Sequence, residues 1–550
     1  MKKYILFITT LTLLVIFFIP IFKYKKIKTA SQKVSNYKRG VYHVHSLYSH
    51  DSVGKIEEII AAAKNNNLDF VILTDHGRPN IKSSLATKRY GNVLLIGASE
   101  FTMDCGHMTA INYKLHSYRF APEPQEAIDE LKEEGAIEFI AHPFDTKIPW
   151  KNWNIRGFTG IELINTYSCI RRCNPLEKLI AFFYYHVNPS YSLLYISKRF
   201  NKRNFLKWDN LNNDGKYYGI YALDAHGNFH FSKKFSLNFP KYEDIFGCFN
   251  IYVKVDQSKD LSPLEEKNEI VKGLKKGNFF NVVELFGNAE GFETYFLTRN
   301  GKKIEMGKSI TERDGEIFFK IPTKEKLKIK IFRNGKPFKI FNTNGEKTLK
   351  VKITERGVYR SEIFIEKSLF KDIPWIVTNP FYLMPPDKRA KVKEKEDITL
   401  SLPFDEKFFS TRNDGPCHIK LRCIDKDKMY EVSFSLKKCK NSNLFGVAIY
   451  HKFKMDISRF KGVEFETRSS KKMRYFFVLR YKKGCYRHTF LSSEKWERIK
   501  IPFSKLVECS GKNKKLSLKR VKIFLISVNN YISYDGVKNT LYLKNLKLYR

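Results

Sequence analysis

Nine side chains able to hold divalent cations stand at the borders of short apolar runs in the first half of this 550-residue chain. His43 and His45 lie two apart at the end of one run, Asp51 follows in the next loop, and His76, just after Asp75, closes a second. Glu100 follows a third run, His107 precedes a fourth, His142 closes a fifth, and Asp224 and His226 close the last. Ten of the thirteen histidines precede residue 231, and six of those ten occupy these places. A lone histidine is ordinarily a satisfied core or surface residue; six of them with three carboxylates at one rim point to a metal cluster. Nine ligands exceed the three or four that one transition metal takes from a protein, so two or three ions are expected, with Glu100 as a bridge. Imidazole and carboxylate without thiolate suit Zn, Mn or Fe.

The elements that must position these groups are legible as alternation. The runs Gly40 to His45, Asp69 to Thr74, Val93 to Ala98, Met108 to Tyr113, Ala136 to Ala141, Gly160 to Ile164 and Tyr217 to Leu223 have the length and composition of buried strands. Ile56 to Asn66 and Pro124 to Glu134 have helical spacing, the second with Pro at its start and Gly135 just past its end. Strand–helix alternation predicts a largely parallel α/β sheet, open or closed into a barrel, with reactive residues at the carboxyl ends of the strands. The pair His43 and His45 is expected on one strand, facing one side.

Beyond this region the period shortens. From about Phe292 to Lys367 alternation and Asn-Gly turns predict a small antiparallel sandwich, and Pro374 to Pro386 reads as a packed connector. From about Asp387 the chain is again strand-rich and predicts a separate β-sandwich. The expected organisation is residues 1–33 as anchor and basic linker, 34–285 as the catalytic α/β domain, 286–368 as the small sandwich, 369–386 as connector and 387–550 as the last β domain.

Tyr4 to Phe22 is an uncharged apolar run after Lys2 and Lys3. As a helix it would reach about 28 Å, close to the thickness of a bilayer's hydrocarbon core. No small-x-small cleavage site follows, so an uncleaved signal anchor in the cell membrane is expected. The basic residues after the span favour a cytoplasmic body, whereas anchors with a short basic start export large domains; export of the catalytic part is the preferred reading.

The formal charge of +42, from 99 basic and 57 acidic residues, raises nucleic acid, anionic membrane or acidic polymer as neighbours. Lysine is spread along the whole chain, which a biased coding composition also produces, and no helix-turn-helix or polymerase pattern accompanies it; no specific nucleic acid is expected. The nine cysteines form no CxxC pair and read as small buried residues.

His43-Val44-His45, Thr74-Asp75-His76, His142 within Ala-His-Pro-Phe, and Asp224-Ala225-His226 match, in order, the four motifs of PHP (polymerase and histidinol phosphatase) metallohydrolases, which the chain resembles. Glu100 and Gly106-His107 fit that family's intervening positions. The resemblance implies a distorted (β/α)7 barrel with a trinuclear site: His43, His45, Glu100 and Asp224 around one ion, Glu100, His107 and His142 around a second, and Asp51, His76 and His226 around a third, with His50 able to replace Asp51. Gly273 to Phe280, the small sandwich and Pro374 to Pro380 resemble the carbaryl-hydrolase-like branch. The last domain resembles galactose-binding-like jelly rolls of the carbohydrate-binding kind, through Trp496 to Phe503 and Leu541 to Tyr549, which implies an envelope glycan as partner; a sandwich that packs on its neighbour is the alternative.

Clustered divalent ions lower the pKa of bound water from 15.7 towards about 7 and clamp ester oxygens, so hydrolysis of a phosphoester is the expected reaction. A carboxyl or carbamate ester is the alternative substrate, and a non-catalytic glycan-binding protein the alternative class. Glu100 and Asp224 are expected to be catalytic through the ions, and Asp75 to orient a ligand or relay a proton, with capping of the following turn as the alternative. Arg78, Arg171 and Arg172 are the candidate partners of a substrate phosphate. The aromatic stretch Ile180 to Ile196 reads as a helix packed on the core, with a substrate lid or a membrane-interface segment as alternatives.

Overall fold

Strand β1 (Tyr37–Val44) opens the first sheet, and β2 (Phe70–Leu73) and β3 (Val93–Met103) follow it in parallel. The computed structural model describes residues 18–29, 36–227, 229–232, 235–237, 239–256, 261–343, 348–384, 399–401, 409–425, 429–438, 445–481, 484–509, 516 and 518–550. Between β1 and β2, helix α1 (Ile56–Asn65) turns Ile56, Ile59, Ile60, Ala62 and Ala63 inward, as its spacing predicts. Two antiparallel steps follow, β3 to β4 (Gly106–Ile111) and β4 to β5 (Ile137–Ile140), and then parallel pairing resumes through β6 (Gly160–Asn165) to β7 (Tyr218–Ala222). The hydrogen-bonded path then returns to its start. Leu223 N–H donates to the Tyr42 carbonyl at 3.0 Å, His45 N–H to that of Ala225 at 2.9 Å, and Val44 bridges Ala225 in parallel.

On the other side of β1 the sheet continues antiparallel through β8 (Phe249–Lys254) and β9 (Phe279–Val283), two strands absent from the sequence reading. Ile376–Thr378 pairs with β9 and Gly357–Ile365, and Phe381–Leu383 also pairs with Gly357–Ile365. The stretch expected to be a packed connector thus supplies two short strands, because Trp375 to Leu383 is apolar enough to be buried within the sheet. Glu293–Thr298, Gly315–Lys320 and Thr348–Ile353 form a separate antiparallel sheet with Lys303–Ile304.

The chain divides into two units, residues 1–113 with 131–388, and residues 114–130 with 389–550. The second unit is two six-stranded antiparallel sheets around an aromatic core that includes Tyr430, Phe465, Tyr475, Phe477 and Phe524. Arg474 is buried there against Glu130 and the Arg119 carbonyl, and Thr489 donates to Glu123 at 2.9 Å, so residues 114–130 are part of this unit. A disulfide joins Cys485 and Cys509; the spacing of 24 residues carries no motif that would reveal it.

Most of the apolar run Tyr4 to Phe22 lies outside the described residues. Residues 18–23 are helical, and no helix among the described residues is long and apolar enough to cross a membrane.

Candidate metal centre

Glu100 is the hub of the site. Its fully buried carboxylate lies 2.9 Å from His107 Nδ1 and 3.0 Å from His142 Nε2 through Oε1, and 3.2 Å from His76 Nδ1 and 3.3 Å from the Nε2 atoms of His43 and His45 through Oε2. Glu100 was expected to follow its strand and His107 to precede the next. Both lie within strands, on a hairpin that pairs Glu100 with Thr109 and Thr102 with His107. Gly106 opens the return strand with φ 138°, and a β-carbon there would meet the Trp150 Cα at 3.1 Å.

The other predicted ligands gather on the same point. His45 Nε2 lies 3.3 Å from Asp224 Oδ1, and Asp51 Oδ2 lies 3.1 Å from His76 Nε2 and 3.3 Å from His226 Nε2. Three sets have ligand atoms within 4.8 Å of one another: His43, His45 and Asp224; His76, Glu100 and His107; and His45, Asp51, His76 and His226. Asp51, rather than the exposed His50, belongs to the last set. This grouping differs from the one implied by the family resemblance in sharing His45 and His76 between sets.

Local backbone strain marks these positions. His43, His142 and Asp224 have φ of 66°, 28° and 55°, conformations that cost a non-glycine residue about 1–3 kcal/mol and persist only where the surroundings over-determine them. The register of β1 against β2 shifts at His43, and β1 ends at Val44. His43 and His45 therefore meet, Nε2 to Nε2 at 3.1 Å, through a bulge and a turn rather than by the plain alternation expected of one strand.

Sequence reasoning missed Glu162, which holds this bulge. Its Oε1 accepts from His43 Nδ1 at 2.5 Å, its Oε2 from His142 N–H at 2.7 Å, and Asn165 Nδ2 donates to Glu162 at 2.9 Å and to Asp224 at 3.3 Å. The available signal was a glutamate in the middle of the apolar run Gly160-Ile-Glu-Leu-Ile. With Nδ1 donating to Glu162, His43 turns its Nε2 lone pair inward, towards the other ligands.

Asp75 is hydrogen-bonded at the turn beside His45. Its carboxylate accepts from Ser46 N–H at 2.6 Å and Ser46 Oγ at 2.9 Å, so it secures that turn. Of the three arginines, Arg78 is buried and donates to the Thr102 carbonyl, and Arg172 donates to the Arg199 carbonyl. Arg171 lies over the Tyr167 ring at 4.5 Å and bonds Asp145 at 3.2 Å, and that same ring is 4.9 Å from His226. Through Tyr167 it is joined to the His226 side of the ligand cluster.

The electrostatics fit cations. Burial opposes charge on Glu100, yet His76, His107 and His43 hold its carboxyl well below the usual range, and His43 and His45 do the same for Asp224. Glu100 Oε2, Asp51 Oδ1, His76 Nδ1 and His142 Nδ1 are buried without a hydrogen-bond partner. Lone pairs crowded at 3.1–3.3 Å with unsatisfied buried acceptors are what a divalent cation would reconcile.

The family model described as PHP domain matches residues 42–148. That match holds seven of the nine ligand candidates; Asp224 and His226 lie beyond it. An uncharacterized protein of Methanocaldococcus jannaschii is 25% identical over 139 residues, 23% of this chain and 80% of the relative. A two-domain protein from Bacteroides vulgatus containing a predicted PHP-like metal-dependent phosphoesterase is similar at 14% identity, over 65% of this chain and 99% of that one, with a TM-score of 0.31. A family 11 carbohydrate-binding module from Clostridium thermocellum is similar at 12% identity, over 28% of this chain and 96% of the module, with a TM-score of 0.23. Neither TM-score reaches 0.5, so the PHP assignment rests on the family match and on the side chains described above.

Replacing Glu162 by Gln is expected to lower metal affinity about 10–100-fold while leaving the fold intact, since outer partners of ligating imidazoles contribute on that scale. Metal titration of the variant checks this. Unchanged affinity would remove Glu162 from the site.

Proposed function

We propose that this protein is a metal-dependent phosphoesterase that holds two or three divalent cations, Zn, Mn or Fe, on His43, His45, Asp51, His76, Glu100, His107, His142, Asp224 and His226. The observation that carries the reading is Glu100, fully buried itself, whose two oxygens face five imidazoles. Bound cations supply activated water and hold ester oxygens. The chain's own residues do the rest. Glu162 and Asn165 fix the ring of His43 and the carboxylate of Asp224, and Asp75 fixes the turn after β1. Arg171, braced by Asp145 and Tyr167, offers a guanidinium to a phosphoryl oxygen at the rim, which favours a phosphoester over a neutral carboxyl or carbamate ester.

The return of β7 to β1 supports the (β/α)7 barrel, and the two packed sheets of the second unit support a jelly roll, for which an envelope glycan is the proposed ligand. We further propose that the apolar run Tyr4 to Phe22 tethers the chain to the cell membrane with the catalytic unit exported, a placement that the Cys485–Cys509 disulfide favours. Metal analysis of the purified protein, followed by matched phosphoester and carboxyl ester panels, tests the enzymatic reading. Turnover of carboxyl esters alone would move the protein to the alternative substrate. A metal-free, inactive protein after reconstitution would overturn the proposal.

Cation binding should displace protons. Burial lowers the pKa of His45, but Asp224 and Glu100 outweigh it and push the ring up to about 10; His43 and His142 are raised by neighbouring carboxylates in the same way. In the cation-free protein the His45 ring carries a proton at neutral pH, so metal affinity falls as pH is lowered and binding at pH 7.5 releases protons. Calorimetry in two buffers of different ionisation enthalpy reads that release as a difference in apparent enthalpy. Equal enthalpies would contradict it.

A further inference from the structure

The aromatic stretch Ile180 to Ile196 forms parts of two helices, α2 (Pro175–Val187) and α3 (Pro189–Ser197), and α2 carries an apolar stripe on its outer face. Leu176, Leu179, Phe183 and Val187 are 64%, 52%, 50% and 48% exposed. At 3.6 residues per turn they fall within an arc of about 80°. Glu177, Ala181 and Tyr184 occupy the opposite, buried face. Four large apolar residues aligned in water require an explanation that scattered ones do not.

The neighbours of this stripe point to its occupant. Ile21, at the end of the apolar N-terminal run, is buried against Tyr184 and Tyr191, with Phe18, Tyr24, Ile180 and Phe370 packed around them. Phe22, beside it, is 75% exposed, and Leu369 is 56% exposed next to Phe370. The chain after this point has no slack. Tyr24 bonds the Leu285 carbonyl, Ile27 N–H donates to that of Phe286 at 2.7 Å, Thr29 Oγ1 donates to Asn288 at 2.6 Å, and the Lys28 carbonyl accepts from Thr323 at 2.7 Å. Lys23, Lys25, Lys26 and Lys28, in the segment that follows Phe22, are exposed.

We infer that α2 lies in the interface of the membrane to which residues 4–22 tether the chain, with Leu176, Leu179, Phe183 and Val187 in the acyl border and the lysines among anionic headgroups. The inference rests on the proposed tether and adds a second, peripheral contact to it. An apolar run that enters a bilayer and is packed directly on α2 without a flexible spacer holds that helix at the bilayer surface. A second copy of the chain would cover the stripe but would leave the four exposed lysines after Phe22 without an anionic surface.

The full chain carrying Phe183→Trp, reconstituted into phosphatidylcholine–phosphatidylglycerol vesicles with brominated acyl chains, tests this. Emission in excess of wild type is expected to shift to the blue and to be quenched by the bromines. Ile340→Trp, at a 51% exposed strand position of the same unit, should stay unquenched. Protein that floats with the vesicles while both variants remain unquenched overturns the interfacial helix and leaves the tether standing. Protein that does not float with vesicles overturns the tether and the inference together. Crosslinking of Leu179→Cys to a second copy without quenching also overturns the inference.

Discussion

Glu100→Gln is expected to lower turnover by more than about 100-fold and to reduce the number of tightly bound ions by at least one. The substitution preserves shape and removes the one negative charge that faces His43, His45, His76, His107 and His142 together. Outer partners of metal ligands already contribute about 10–100-fold, and a carboxylate shared between ions exceeds that scale. The amide cannot accept at both atoms, so at least one imidazole loses its counter-charge at a position that is itself fully buried. Initial rates on the preferred ester and metal content per chain read the two effects separately. A variant with a full complement of ions and wild-type turnover would show that Glu100 is structural.

Chelation is expected to abolish turnover and to lower the stability of the first unit, with both restored on adding the ion back. An ion present at 100 times its dissociation constant stabilises the state that binds it by about 2.7 kcal/mol, and two or three ions would add accordingly. The cation-free cluster keeps its strained φ values and its unsatisfied buried atoms, which the ions no longer offset. Calorimetry of the full chain, with and without chelator, should show one transition move and another stay, because the second unit contains none of the nine ligands. A chelated protein with unchanged transitions and full activity would remove the metal from the mechanism.

Much of the site was readable because its ligands are chemically rare types at strand borders, where an apolar run stops and the chain can turn a polar group inward. The helices Ile56–Asn65 and Pro124–Glu133 were equally legible, since their caps and apolar spacing are local properties. Glu162 escaped because a buried glutamate within an apolar run carries no sign of which imidazole it will meet. Arg78, Arg171 and Arg172 were indistinguishable in sequence, since an arginine's partner is set by whichever carbonyl or carboxylate folding places nearby. The strands β8 and β9, and those within Pro374 to Pro386, were missed for a related reason: each is short and gains its status from the edge it pairs with.

By itself the sequence determined the inventory: nine cation-binding groups in a fixed order, the alternation that separates them, and the change of period near residue 290. Tertiary structure alone decided which groups share a site, that His43 reaches His45 through a bulge, and that Asp75 serves the turn at Ser46. The reason is one of range: composition and period act over a few residues, whereas the position of a carboxylate between imidazoles depends on strands brought together from opposite ends of a 180-residue stretch, from His43 to His226.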